Sequence, residues 1–236
     1  MHLSFAPQLS GTNILLSEEE SKHCIQVLRM KEGDELMLVD GEGGFYRARI
    51  TMAHPKKCEI EIFATEKNYN KRNFYLHLAC APTKNNERFE WFLEKATEIG
   101  IDTITPLQCE HSERNVIKPE RLEKVLVSAM KQSLKAYKPE LRESTLFKNF
   151  IAQSKGFTGQ KFIAHCHPSP KIILKNSYQI GKDVLVLIGP EGDFSLEEVA
   201  LAEANNFISV SLSTSRLRTE TAALVACQTL NMMNET

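Results

Sequence analysis

No apolar run in this 236-residue chain approaches the ~20 residues that a membrane-spanning helix needs, so no such helix is expected. The opening MHLSFAPQLSGTN has neither the charged nor the apolar region of a signal peptide, which makes the cytoplasm the expected location. CxxC pairs are absent. Cys24, Cys58, Cys80, Cys109, Cys166 and Cys227 stand singly, and a chain of this length without an export signal is not expected to rest on disulfides. The one cluster of metal-ligand residue types is His165-Cys166-His167. Adjacent residues on a strand point to opposite faces, so the three are not expected to converge, and no metal is expected. Neither sign of charge is in excess, with a net charge of −1. Binding to RNA would therefore have to rest on a local basic surface. What remains is an ordinary soluble composition, 42% hydrophobic and 25% charged, long enough for one or two domains.

Two rhythms divide the chain. Up to residue 66 it reads mostly as strand: Glu35–Val39, the turn cluster Asp40-Gly41-Glu42-Gly43-Gly44, then alternating runs over Phe45–Thr51 and Cys58–Phe63. Short alternating strands joined by glycine turns suggest a small antiparallel barrel. One helix interrupts it, SEEESKHCIQVLRM, where Ser17 and Glu20 form a capping-box pattern. The basic end of that helix, with Lys22, His23, Arg29 and Lys31, suits RNA backbone and equally suits a solvated face. The polar EKNYNKRN over 66–73 reads as a linker.

Strand and helix then alternate. Strand-like runs cover Phe74–Ala81, Ile101–Leu107, Lys161–Cys166, Asp183–Ile188 and Phe207–Leu212. Helical spacing covers Asn86–Ile99 ahead of Gly100, a segment behind Pro119, and Thr219–Met232. The alternation predicts an α/β domain with a parallel sheet covered on both faces. Domains are expected at 1–70 and 71–236.

In such a sheet ligands bind at the carboxyl ends of strands. Two loops there carry unusual residues. LIGPEGDFSLEE, Leu187–Glu198, has glycines that permit close backbone approach and a second capping box from Ser195 to Glu198. It matches neither a Walker loop nor a dinucleotide fingerprint, and Glu191 and Asp193 oppose a phosphate. A neutral or cationic ligand suits it better, such as an adenosine joined to a sulfonium and an amine. A plain turn whose acids serve the helix dipole explains the same residues, and spacing leaves both open. SLSTSRLRTETA, Ser211–Ala222, packs arginines, hydroxyls and Glu220 between a strand and a helix that Thr219 is placed to cap.

IGPEGDFS followed by SRLRTETA resembles the RsmE family of 16S ribosomal RNA uridine-N3 methyltransferases, of the SPOUT class. HCIQVLRMKEGDEL, KNNERFEWFLEKATEIGIDTITP and SERNVIKPERLEKVLVSAMKQSLKAYKPEL extend the resemblance along the whole chain. It implies a PUA-like barrel, an α/β domain with a C-terminal trefoil knot, a homodimer, and S-adenosylmethionine as methyl donor to 16S rRNA of the 30S subunit. Two departures stand out. Asp193 replaces a glycine of the usual GPEGGF, and Ser213-Thr214-Ser215 stands where Gly, Pro and Arg are frequent, with Arg216 one place late.

Carried over, the resemblance makes Arg218 and Glu220 the candidate catalytic residues. Leu187, Ile188, Gly189, Pro190, Glu191, Gly192, Leu212, Ser213, Leu217, Arg218, Thr219, Thr221 and Ala222 are the expected cofactor contacts. His23, Arg29, Lys84, Arg88 and Arg114 are the expected RNA contacts. Arg218 is expected to stabilise a uracil anion or bind phosphate, with Glu220 orienting it or taking the proton. A non-catalytic RNA-binding or ribosome-assembly factor of the same fold, and an enzyme acting on a free nucleotide, are the rival readings.

Overall fold

The computed structural model describes residues 3–7, 9, 11–113 and 117–235. Two compact units divide the chain: the segment through Lys71 with Val127–Lys138, and Arg72–Leu126 with Pro139 onward. The expected RNA contact Arg114 lies outside the described residues.

The first unit holds a five-stranded sheet of β1 (Leu3–Phe5), β2 (Asn13–Leu15), β3 (Glu35–Val39), β4 (Phe45–Met52) and β5 (Glu59–Glu66), in the order β1-β3-β4-β5-β2. The hairpin between β3 and β4 is tied by Asp40, whose Oδ1 accepts from Glu42 N at 2.7 Å and Gly44 N at 2.9 Å. β1 and β3 pair in parallel, unlike the remaining antiparallel pairs and unlike the all-antiparallel expectation. No hairpin constrains that pair, because β2 and a helix intervene. Alternation sends Leu36, Leu38, Ala48, Ile50 and Ile60 inward to one core.

That helix, α1 (Glu18–Lys22), starts where Ser17 Oγ accepts from Glu20 N at 3.2 Å. The reciprocal half of the predicted capping box is absent, because the Glu20 carboxylate turns inward and pairs with Lys131. The helix does not run on to Met30 as its spacing predicts. A π-helical turn over His23–Val27 follows, and Arg29 sits at φ 57°.

The second unit is built on a sheet of parallel strands: β6 (Leu76–Cys80), β7 (Thr103–Gln108), β8 (Glu140–Leu141), β9 (Thr145–Leu146), β10 (Gln160–Ala164), β11 (Ile172–Ile173), β12 (Val184–Ile188) and β13 (Ile208–Ser211). Its order is β11-β13-β10-β12-β6-β7-β8, with β9 also on β7. The helices are α2 (Asn86–Ile99), α3 (Pro119–Gln132), α4 (Phe147–Gln153), α5 (Leu174–Ser177), α6 (Leu196–Glu203) and α7 (Thr219–Asn234). The division between the units falls inside α3.

Alternate residues of the central strands feed two cores, which is why these strands are apolar throughout. Leu76, Leu78, Val184, Val186 and Ile188 pack with Phe89, Phe92 and Leu93 of α2 and Ala223, Ala226 and Leu230 of α7. Ala79, Leu185, Leu187 and Ile163 pack on the other face with Phe147, Phe150 and Ile151 of α4 and Val199 and Ala202 of α6. α2 stops at Gly100, whose φ of 136° only glycine adopts readily and whose N–H bonds Ala96 O. Register brings three carboxyl ends level: Ala164 of β10 lies beside Ile188 of β12, and Ile188 beside Cys80 of β6.

Candidate active site

A cleft of about 670 Å³ opens at the carboxyl ends of β10, β12 and β13. Its floor follows from the sequence of β12. VLVLI is flanked by parallel neighbours on both sides and fully buried, and Gly189 and Pro190 continue that burial into the loop. A methyl group on Gly189 would lie 3.1 Å from the Phe194 ring, so the backbone here is packed against that ring. Asp193 N donates to Pro190 O at 2.9 Å and closes the turn. Phe194 is fully buried, and its ring centroid is 5.5 Å from that of Phe147. Ser195 then caps α6 with both halves of the box in place: Glu198 N donates to Ser195 Oγ at 3.3 Å, and Ser195 N to Glu198 Oε2 at 2.9 Å.

The two carboxylates that set this loop apart from a phosphate cradle both hold backbone. Glu191 Oε1 accepts from Lys84 N at 2.9 Å, and Asp193 Oδ2 accepts from Cys166 N at 2.7 Å. They brace neighbouring segments as well as contributing negative charge to the cleft lining. Asp193 has φ 64°, the left-handed region where glycine is the default and aspartate is among the few tolerated side chains. That conformation accounts for a position at which both glycine and aspartate serve.

A second wall is the segment from Val210 to Arg218 and the start of α7, where Leu212, Leu217 and Ala222 supply apolar surface. Arg216 and Arg218 are exposed. The N-cap of α7 is Arg218 rather than Thr219. Thr219 and Glu220 are the first helical residues and are buried, at 5% and 6% exposure. The third wall is Ala164, His165, Cys166 and Lys171. Burial, with the Lys171 ammonium nearby, holds the His165 imidazole below its usual range. His165 and Cys166 stood out in the sequence only as part of a metal-ligand cluster not expected to converge, and neither they nor Lys171 were expected beside a cofactor.

Of the expected cofactor contacts, the cleft brings together Ile188, Gly189, Pro190, Glu191, Leu212, Ser213, Leu217, Arg218, Thr219 and Ala222. Leu187 faces the core beneath, and Gly192 and Thr221 lie off the lining. Glu220 is not in the lining either. Its carboxylate is 3.9 Å from Arg88 Nε, so its partner is Arg88 and not Arg218 as expected. Lys84 Nζ pairs with Glu113 at 2.7 Å. Glu113 raises the Lys84 ammonium above its ordinary range by accepting a hydrogen bond and by its charge. His165 and His167 have ring centroids 5.4 Å apart. Among the described residues no three His, Cys, Asp or Glu side chains gather as a metal site.

The residues present fit an adenosine-bearing cofactor. Ile188, Val210, Leu212, Leu217 and Ala222 give apolar walls, Gly189 and Pro190 of the turn join the lining, and the volume lies within the range of small-molecule sites.

A parallel α/β sheet with a cleft at its strand ends, joined to a small β unit, suits an enzyme that binds a nucleoside cofactor, such as a methyltransferase. Family models agree with that class: the RNA methyltransferase domain matches residues 70–231, and the RNA methyltransferase PUA domain matches 16–63. The chain is 27% identical over 237 residues to the Ribosomal RNA small subunit methyltransferase E of Synechocystis, covering 97% of this chain and 76% of that one. It is 28% identical to the protein of the same name from Buchnera aphidicola, covering 92% and 87%. Among solved structures, a probable rRNA-methyltransferase from Porphyromonas gingivalis superposes with a TM-score of 0.93 at 43% identity, over 99% and 98% of the chains. A putative methyltransferase from Legionella pneumophila, solved with bound cofactor SAM, gives 0.86 at 30% identity over 98% and 97%. The chain belongs to the ribosomal RNA small subunit methyltransferase E family, and the resemblance read from GPEG and RTETA is borne out.

Proposed function

We propose that this protein methylates N3 of a specific uridine in 16S rRNA of the small ribosomal subunit, using S-adenosylmethionine. The observation that carries the reading is the cleft at the ends of β10, β12 and β13, with apolar walls from Ile188, Leu212, Leu217 and Ala222 and with Arg218 exposed at its edge. The names of the relatives support the substrate class, and the cofactor of the Legionella neighbour supports the donor.

When bound, S-adenosylmethionine supplies a methyl group already activated on a sulfonium. The chain's own residues then have to position an acceptor and manage a proton. Ile188, Gly189, Pro190, Leu212, Leu217 and Ala222 hold the cofactor, with Glu191, Ser213 and Thr219 at its polar edges. Uridine N3 becomes nucleophilic only when its proton leaves, here to solvent at the open edge of the cleft, with negative charge spreading onto O2 and O4. The N3–methyl bond then forms as the sulfonium–methyl bond breaks, leaving S-adenosylhomocysteine to depart. The Arg218 guanidinium stabilises that charge in a cleft where water is partly excluded. Glu220, buried with its carboxylate 3.9 Å from Arg88 Nε, acts as a positioning residue for Arg88 and not for Arg218. Holding the two reactants in line is the largest contribution expected for a displacement with an activated donor.

His23 and Arg29 of the first unit, and Lys84 and Arg88 of the second, are the proposed RNA contacts. The left-handed Arg29, two residues beyond a π-helical turn, supports a specialised surface there, since such turns are frequent at functional sites. A trefoil knot in the second unit belongs to the same reading. It is supported by β13, the last strand, lying between β10 and β11, which the chain connects directly. A homodimer belongs to the same reading. Cytoplasmic placement follows from the substrate, and among the described residues no helix is long and apolar enough to cross a membrane.

The test is transfer of tritiated methyl from S-adenosylmethionine to isolated 30S subunits and to naked 16S rRNA. Label is expected on RNA with the wild type and reduced by roughly 10²-fold or more with Arg218→Ala. Full activity of a folded Arg218→Ala protein would remove that residue's role. No label on either substrate would favour a non-catalytic binding factor.

A further inference from the structure

We infer that Asp193 is a positioning residue whose carboxylate latches the segment after β10 to the loop after β12, and so sets one wall of the cofactor cleft. The inference rests on the proposed cofactor. Strands β10 and β12 pair in parallel only as far as Ala164 and Ile188. Beyond that point side chains take over from the backbone ladder. Asp193 Oδ2 accepts from Cys166 N at 2.7 Å, and His167 Nε2 donates to Phe194 O at 2.7 Å. These two rungs join residues 166–167 to 193–194.

The aspartate is itself held from several directions. Its Oδ1 accepts from Phe194 N at 2.9 Å, and its own N–H closes the turn to Pro190 O. His111 Nδ1 donates to Asp193 O at 3.1 Å and lies 3.2 Å from Gly192 O. Glycine adopts the left-handed backbone of this position without steric cost, so what an aspartate adds is its carboxylate. Asp193 and Cys166 both line the cleft, beside His165 and Lys171. Releasing the latch frees the wall that carries His165 and Lys171 without touching the opposite wall with Arg218.

The experiment is calorimetric binding of S-adenosylhomocysteine to wild type, Asp193→Gly and Asp193→Asn, with methylation kinetics and thermal melting on the same preparations. Charge-assisted hydrogen bonds of this kind predict binding on the order of tenfold weaker in Asp193→Gly. The loss is expected in KM for the cofactor more than in kcat. Asp193→Asn should fall between the two, because its amide oxygen still accepts from Cys166 N while its amino group cannot accept from Phe194 N. That graded rescue and the split between KM and kcat are not expected of a residue that only stabilises the fold. Wild-type affinity in Asp193→Gly, or a loss confined to kcat, would overturn the inference. If Asp193→Gly does not fold, Asp193→Asn carries the test alone, and unchanged affinity there overturns it too. Failure of the wild type to bind S-adenosylhomocysteine would instead overturn the cofactor assignment.

Discussion

Replacing Glu198 tests the link between the cleft loop and the helix that follows it. Glu198 is 7% exposed, and both of its oxygens are used. Oε2 accepts from Ser195 N at 2.9 Å, and Oε1 accepts from Glu110 N at 2.9 Å. Its charge also lies in the first turn of α6, where the helix dipole favours an anion. Glu198→Ala removes both acceptors and leaves a buried Ser195 N–H without one. Two hydrogen bonds to a charged group at about 1.5–3 kcal/mol each bound the loss at about 3–6 kcal/mol. Partial access of water to Glu110 N favours the lower half of that range. The cap from Ser195 Oγ to the backbone survives, so α6 itself should persist. Glu198→Gln keeps one acceptor without the charge and should lose about half as much. Urea unfolding followed by fluorescence is the assay, because the single tryptophan, Trp91, lies in α2 and reports on the second unit alone. A loss under about 1 kcal/mol for Glu198→Ala, or equal losses for both variants, would refute the account of this loop as a capped and braced turn.

Two further outcomes follow. Cys166 is exposed while the other five cysteines are buried, so a thiol reagent should modify one thiol in the native protein. S-adenosylhomocysteine should slow that reaction in proportion to occupancy, about hundredfold at a hundred times its Kd, and absence of protection would separate Cys166 from the ligand site. The His77 imidazole, buried with Nε2 2.8 Å from Thr105 Oγ1, is pushed down to about 3 by burial, with Arg142 adding to the shift. A folded-state value below the unfolded one means that His77 contributes stability above the unfolded pKa, and that this is lost as pH falls from about 6.5 toward about 3. Between pH 6 and 5 wild type should lose about 1 kcal/mol more stability than His77→Gln in urea unfolding, and equal losses would contradict this.

Patterns completed within a dozen residues were legible in the sequence. α2 runs from Asn86 to Ile99 and stops at Gly100 as its spacing and capping glycine indicate, and β12 reads as a buried central strand because five apolar residues precede a glycine turn. Elements made by distant partners were not legible. β8 and β9 are two residues each and exist through pairing with β7, more than thirty residues earlier. α1 gives way to a π-helical turn in a run whose own spacing continues as a helix. Val127–Lys138 belongs with the first unit, although Pro119–Gln132 reads and folds as one helix. The site divides in the same way. The glycine loop and the arginine loop are local strings, whereas the wall at His165, Cys166 and Lys171 is tied in by Asp193 from 27 residues away. Glu220 was legible as unusual, but its partner Arg88 lies on another helix.

The central claim is the identity of the methylated atom. Small subunits labelled with tritiated methyl by the wild type should be digested to nucleosides and separated against standards. The account predicts label co-migrating with 3-methyluridine. Label in any other nucleoside would contradict it, as would none above the level of heat-inactivated protein.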